Sequence, residues 1–592
     1  MIRTLSLAFF FICSIALQAQ TIKYSLDLKN IVHHELEITI EYTDVSKDSL
    51  LLEIANTSPG RYAVHNFGKN VYGEKAFDQN GKKIALVRKT PLSWKVAPKN
   101  GYIKFVYVLF GNYADGTYAG IDNKRLHLNM PASFVFTQDL KELPINVEID
   151  LSEKPHWKVA TQLENISKNI YRAPNWYYFM DSPIMAGEMD FTSWQVDGQT
   201  IEVAMMHEGT QAEFDDFVVE VKKIVIEERD IFGELPTFDF GRYTFLCAYN
   251  PWVHGDGMEH RNSTICTSSG NLKENSQRLL GTIAHEFFHA WNIERIRPLT
   301  LEPFKFDQGN VSGELWFGEG FTSYYDDITL TRAGIQSKEE FIKNFTRILN
   351  YVKNLPGRSI RNPIQMSQNA TFTDAGVAND ETNYSNTFVS YYSYGEVLGM
   401  GLDLLLRTEH KKTLDGYMQL VWGKYGKTEK PYTVTALRKT LMEYTNEPFA
   451  NKFFNEHILS SELPDFENLF EKMGISYAIA SPSKVYNGSS QLDKAGIVNA
   501  YPLYNSPLYD AGVTLGDKIL AINQITLSSA NDYNNIMEGL EIGKTYTITF
   551  EQMGDEIESS FTTQQNPTIA LSWVGKKEVA KSIKKLRKGW ID

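Results

Sequence analysis

Short apolar runs alternate with turn residues through the first quarter of the chain: TIKYSLDL, HELEITIEYTD, SLLLEIA, GYIKFVYVLF and LPINVEIDL. Apolar residues recur at every second position and are rich in β-branched and aromatic types, the pattern of strands with one buried face. These runs predict an antiparallel β-sandwich over residues 20–190, broken after the third run by the turn Ser58-Pro59-Gly60-Arg61-Tyr62. Beyond residue 190 the period lengthens. QAEFDDFVVEVKKIVIEERDIFG has helical spacing, GRYTFLCAY reads as a strand, and PWVHGDGMEHRNST reads as a loop. The next helix, LLGTIAHEFFHAWNIERIR, has no Gly or Pro from Thr282 to Arg297 and is expected to run until Pro298 stops it. A second helix is expected from about Gly313, and TFVSYYSYGEVLGMGLDLLLR predicts a third, entered through tyrosines. Further helical patterns close a mainly helical unit over residues 191–465. Strand patterns return over 466–566, and the basic run GKKEVAKSIKKLRKGW predicts a solvated helical tail within 567–592. The fold class is therefore multidomain α+β.

The first of these helices carries His285-Glu286-x-x-His289. Two histidines four apart lie on one helix face and can reach one metal ion, while the glutamate beside them suits a general base toward a metal-activated water. Two histidines leave a catalytic zinc one protein ligand short, and a carboxylate on the following helix would complete the set. Glu319 is the stronger candidate. Glu314 competes, but it stands at the expected helix start, where an acid favours the dipole. A phenol near the metal could donate to the oxyanion of a tetrahedral intermediate, and Tyr391, Tyr392 and Tyr394 are all available. In the loop before the metal helix, Gly257-Met258-Glu259-His260 joins a flexible backbone to a carboxylate able to hold a cationic substrate group.

At 592 residues the chain exceeds what one core usually accommodates. Residues 1–19 carry Arg3, an apolar run from Leu5 to Leu17 and Ala19, the pattern of a cleaved signal peptide, so the mature protein is expected to be exported, periplasmic or secreted. No other stretch is long and apolar enough to span a membrane. Cys247 and Cys266 are left to form one bridge or to stay as small buried hydrophobes. A net charge of −13, without a basic patch interleaved with aromatics in the body of the chain, argues against nucleic acid as a partner.

The segments HEFFHAWNIERIRP, LWFGEGFTSYY and GMEH together resemble the glycyl aminopeptidase family of zinc metallopeptidases, within the gluzincins. The resemblance extends to the N-terminal β domain, through Pro59-Gly60-Arg61-Tyr62, and to a C-terminal PDZ domain over residues 466–566. It implies a thermolysin-like catalytic domain with one zinc ion held by His285, His289 and Glu319, and Glu286 as general base. By similarity to the Gly-x-Met-Glu-Asn loop of related aminopeptidases, Gly257, Met258, Glu259 and His260 would bind substrate, with Glu259 gripping the α-amine; His260 replaces the Asn. Tyr392-Ser393-Tyr394-Gly395 resembles their Tyr-x-Lys-Gly, with Tyr for Lys, and assigns transition-state stabilisation to Tyr392. The activity implied is removal of a small N-terminal residue, Gly or Ala, from peptides, with a peptide C-terminus or strand as a further partner of the PDZ domain. An endopeptidase using the same metal site, and a non-catalytic peptide-binding scaffold, are the alternatives.

Overall fold

The computed structural model describes residues 20–374, 380–486, 488, 492–575 and 578–591, so the signal-peptide expectation for 1–19 lies outside the described residues. The five alternating runs form strands. Ile22–Asp27, Glu35–Tyr42, Ile103–Phe110 and Ile145–Ile149 lie in one eight-stranded sheet, and Leu50–Glu53 lies in a three-stranded sheet. Their alternation decides which face is buried. Ile38 pairs with Tyr107 and Ile40 with Phe105, all four side chains inside, while residues between them face outward. A further four-stranded sheet, including Arg125–Leu128 and Ile184–Gly187, completes the layers of this domain.

The catalytic domain opens with a five-stranded sheet in the order Asp190–Val196, Gln199–His207, Arg242–Tyr249, Ser263–Ser268, Asp256–His260. The helix Gln211–Phe232 begins at a capping box of Thr210 and Glu213 and ends at Gly233 with φ +84°, a left-handed conformation that glycine adopts without strain. Its buried face, including Phe214, Phe217, Val221 and Ile224, joins the large core shared with the following helices. Cys247 and Cys266 are register partners on adjacent strands of the sheet and are buried free thiols, the second of the two states expected.

Three expectations are corrected. The segment read as a loop contains a strand, Asp256–His260, because the chain reverses at Arg261 and Asn262 and pairs antiparallel with Ser263–Ser268. The metal helix spans Leu272–Phe288 and stops nine residues before Arg297. Tertiary contacts end it: Asn292 turns inward and its amide donates to Phe317 O, Gly318 O and Thr322 Oγ1. The C-terminal run is not a solvated tail. Helix Lys581–Ile591 buries Trp590 and Ile591 in the catalytic core, and Trp590 Nε1 donates to Tyr324 OH at 3.0 Å. Its lysines sit on the outer face, so the basic composition described only half of the helix.

Between these parts a smaller unit has its own core, with Leu508, Ile519, Ile522, Tyr533, Ile548 and Phe550 packed together. Its four-stranded sheet joins Lys518–Ile522, Ile525–Thr526, Thr545–Gln552 and Asp555–Thr562. The chain enters and leaves this unit along one antiparallel pair, Ile475–Ile479 with Ile569–Trp573, whose first residues belong to the catalytic core.

Candidate active site

The metal helix buries Leu279, Leu280, Ile283, Ala284, Phe287 and Phe288 against the core and turns His285 toward a cavity. Each imidazole is fixed through Nδ1. His285 Nδ1 lies 2.9 Å from Asp326 Oδ2, and His289 Nδ1 lies 2.6 Å from Asn292 O. A ring that donates through Nδ1 keeps its Nε2 lone pair free for a metal. Both Nε2 atoms face Glu319 Oε2, at 3.7 Å for His285 and 3.1 Å for His289. Donor atoms of the three residues lie within 4.8 Å of one another. Two imidazoles and a carboxylate are the protein share of a catalytic zinc site. Glu286 Oε2 is buried with no hydrogen-bond partner, an acceptor aimed at the same space, and these features together fit the metal. Glu314, the rival ligand, accepts from Thr300 Oγ1 and Ser312 Oγ, both at 2.9 Å, and stays outside the cluster.

Glu319 sits at the joint between the short helix Leu315–Gly318 and the helix Gly320–Arg332. Asp326 follows it by seven residues, two turns along the same face, and so reaches His285 from the same helix. A third helix, Tyr391–Leu405, crosses very close. A Cβ on Gly320 would stand 2.3 Å from Gly395 Cα, and one on Gly395 would stand 1.9 Å from Trp316 O. Only two glycines allow this approach, which brings the tyrosines to the metal residues. Tyr392 tilts at 32° toward the His285 ring, with centroids 6.0 Å apart, and lines the cavity. Tyr391 stacks on Tyr392, whereas Tyr394 is fully buried on the side of Arg358, away from the metal residues.

The edge strand separates the remaining four residues. Glu259 belongs to a second cluster with Glu286 and His289, again with donor atoms within 4.8 Å. A Cβ on Gly257 would fall 2.0 Å from Glu286 Oε1, so the backbone lies directly against the Glu286 carboxylate and only glycine fits. Met258 packs into a separate apolar cluster with Met185, Leu246 and Ile265. His260 Nδ1 bonds Asp181 Oδ1 of the N-terminal domain at 2.9 Å. Of the four expected substrate contacts, the structure therefore brings Gly257 and Glu259 to the metal residues and uses Met258 and His260 to seat the strand. Alternation along a strand explains the split.

The N-terminal domain completes the site, a contribution the motif alone did not assign. Tyr62 OH donates to Glu319 Oε1 at 2.7 Å, and both residues are buried. Arg61 pairs with Asp256 and donates to Gly257 O at 3.3 Å and Thr117 Oγ1 at 2.8 Å, pinning the edge strand to the turn. Gly60 has φ +73°, and a Cβ there would meet Met258 Sδ at 2.2 Å and Glu259 Oε2 at 2.8 Å. The turn thus lies directly against Glu259.

Electrostatics follow from burial and from these neighbours. Burial pushes the Glu286 carboxyl up to about 7, with Glu259 and Glu319 adding to it against the two histidines. Glu259 is also pushed up to about 7 by burial, aided by Glu319 and opposed by His289. Burial acts on Glu319 in the same sense, but His289 and His285 override it and hold this carboxyl well below the usual range. Of three clustered carboxylates, the one facing both imidazoles is the firmly charged one, as a metal ligand requires.

Two family models match parts of the chain. Residues 23–188 match the family model described as the Peptidase M61 N-terminal domain, and residues 278–398 match the one described as M61 glycyl aminopeptidase. No curated protein matches the chain. Among solved structures, an aminopeptidase N family protein from Idiomarina loihiensis superposes with a TM-score of 0.82 at 22% identity, over 96% of this chain and 100% of its own, a likeness of fold. An M1 zinc metallopeptidase from Deinococcus radiodurans is more distant, with a TM-score of 0.43 at 13% identity over 75% of this chain and 95% of its own. Legionella pneumophila aminopeptidase A, solved with aspartic acid, gives 0.42 at 11% over 97% and 61%. The N-terminal and catalytic segments thus match, in chain order, models of one family, the M61 glycyl aminopeptidases, and the protein is a peptidase.

Proposed function

We propose that the protein is an exported zinc-dependent aminopeptidase that releases a small first residue, Gly or Ala, from peptides. The observation that carries this reading is Glu259, a buried carboxylate beside the catalytic cluster with the Gly60 turn packed against it. A substrate ammonium that pairs with Glu259 meets the Gly60 turn packed on that carboxylate, which closes the way to a preceding residue. The preference for a small first residue rests on the family resemblance. Zinc, held by His285, His289 and Glu319, would act as a Lewis acid and acidify an attacking water. Glu286 takes the proton from that water and returns it to the departing amine, a task suited to a carboxyl raised to about 7. Tyr392, beside His285 on the cavity wall, donates its hydroxyl to the developing oxyanion.

Export is supported by the pattern of residues 1–19, and no described helix is long and apolar enough to cross a membrane. The smaller C-terminal unit, with its sheet and the helix Ala530–Gly539, is proposed as a PDZ-type module for a peptide C-terminus or strand. The loop ahead of Gly496-Ile497-Val498, proposed to take the carboxylate, includes 487 and 489–491, which lie outside the described residues.

The test compares a peptide beginning with glycine with its N-acetylated form, using purified mature protein loaded with zinc. Cleavage of the free amine after its first residue, with the acetylated peptide resistant, is the expected result. Equal cleavage of both would make the enzyme an endopeptidase, and cleavage of neither would leave a binding scaffold.

A further inference from the structure

The metal helix carries a second charged group that neither the metal set nor the amine site uses. Arg278 precedes His285 by seven residues, two turns along the same face, and lines the same cavity of about 510 Å³. Its guanidinium donates to Ser268 Oγ at 2.7 Å, which holds it against the cavity wall, and it forms no ion pair among the described residues. An exposed guanidinium on the cavity lining with no ion-pair partner has donors to spare for an anionic part of the substrate, although Asp256, Glu286 and Asp326 line the same cavity.

The cavity gives that anion a direction. Behind Glu286, Glu259 lies beside His289 with the Gly60 turn packed against it. The strand Asp256–His260 is the last of its sheet, and its start, with Gly255, lines the cavity opposite Glu286 and Arg278. A peptide laid antiparallel to this strand, with its ammonium on Glu259, passes Gly257, where Glu286 touches the backbone, and then Gly255. Beyond Gly255 the lining residues are Thr267, Ser268 and Arg278. Seven helical residues place Arg278 about 10 Å from His285 along the helix axis. An extended peptide covers that length in about three residues at roughly 3.4 Å each. The α-carboxylate of a tetrapeptide therefore falls at Arg278, and the reach of the side chain admits a tripeptide.

The geometry points to Arg278 as the group that binds the substrate's C-terminal carboxylate, making the enzyme selective for free peptides of three to four residues. This rests on the aminopeptidase reading above, since Glu259 sets the register. The test uses the full mature chain with zinc and measures kcat/KM for Gly-Ala-Ala-Ala as free acid and as C-terminal amide, with an eight-residue free acid beginning with the same residues. Wild type is expected to prefer the tetrapeptide acid over its amide by about three- to tenfold, mainly through KM, and over the longer acid by a similar factor. Arg278→Gln brings the acid-to-amide ratio near one, and Arg278→Lys keeps part of it. The ratio is internal to each variant, so a loss of folding or zinc common to both substrates cancels. A wild-type enzyme indifferent to the terminal charge, or an unchanged ratio in Arg278→Gln, overturns the role of Arg278. Cleavage of neither tetrapeptide, or equal cleavage of an acetylated one, instead overturns the aminopeptidase reading on which it stands.

Discussion

Removing one hydroxyl from the N-terminal domain is expected to weaken metal binding in the catalytic domain. In Tyr62→Phe the ring keeps its packing and loses only the O–H that donates to Glu319 Oε1 at 2.7 Å. The backbone stays anchored, because Tyr62 N–H donates to Asp374 Oδ2 and Tyr62 O accepts from Asn310 N–H, both at 3.1 Å. A buried hydrogen bond to a charged acceptor contributes about 1.5–3 kcal/mol. What reaches the metal is the part of this energy that fixes Glu319 Oε2 toward His289, 3.1 Å away. Loss of such an outer partner typically costs about 10- to 100-fold in affinity, or about 1.4–2.8 kcal/mol, so nearly the whole bond energy must be expressed as ligand positioning. Competition with a fluorescent zinc chelator, at fixed pH and ionic strength, gives the dissociation constant for both proteins. A faster zinc off-rate in Tyr62→Phe is expected to carry most of the difference. Dissociation constants equal within about threefold would refute the coupling and reduce Tyr62 to interdomain packing.

Other outcomes follow from single contacts. Glu286→Gln should retain zinc and lose about 10²–10⁴ in kcat, since it removes the proton acceptor and leaves His285, His289 and Glu319 intact; metal analysis beside steady-state kinetics checks both halves. Gly257→Ala puts a Cβ 2.0 Å from Glu286 Oε1, so strand or base must move. A displacement near 1 Å costs about 10²-fold in kcat, and zinc content should be unchanged. Trp590→Ala should destabilise the catalytic domain by about 3–5 kcal/mol in urea unfolding, because Trp590 is buried against Phe341 and Tyr324. A solvated tail would give no change.

What the sequence reveals of the site depends on how far along the chain its parts lie. His285, Glu286 and His289 share less than two turns of one helix, and their meaning is contained in the spacing. The competition between Glu314 and Glu319 could be argued from helix position alone, and Asp326 was within reach of the same argument, seven residues after Glu319. Glu259 and Tyr392 came from resemblance, since nothing local distinguishes one carboxylate or one of 31 tyrosines as catalytic. Met258 and His260 came with Glu259 on a reading of their segment as a loop; once it pairs as a strand, alternation sends neighbours to different faces.

The remainder was not legible because it is fixed by distant contacts. Helix propensity carries the metal helix on to Arg297, yet it ends at Phe288 because Asn292 finds three acceptors on the neighbouring helices. The stop matters chemically: it lets Asn292 O meet His289 Nδ1 at 2.6 Å, which fixes the ring that a longer helix would leave unsupported. The same logic joins the domains. Tyr62 and Glu319 are 257 residues apart, Arg61 and Asp256 are 195 apart, and each pair is an ordinary polar contact until folding makes it part of the site. The β domain therefore supplies both a bond to Glu319 and, through the Gly60 turn, a wall against Glu259. If that wall enforces cleavage at the first residue, an isolated catalytic domain would lose specificity as well as stability, because the residues that close the site are not its own.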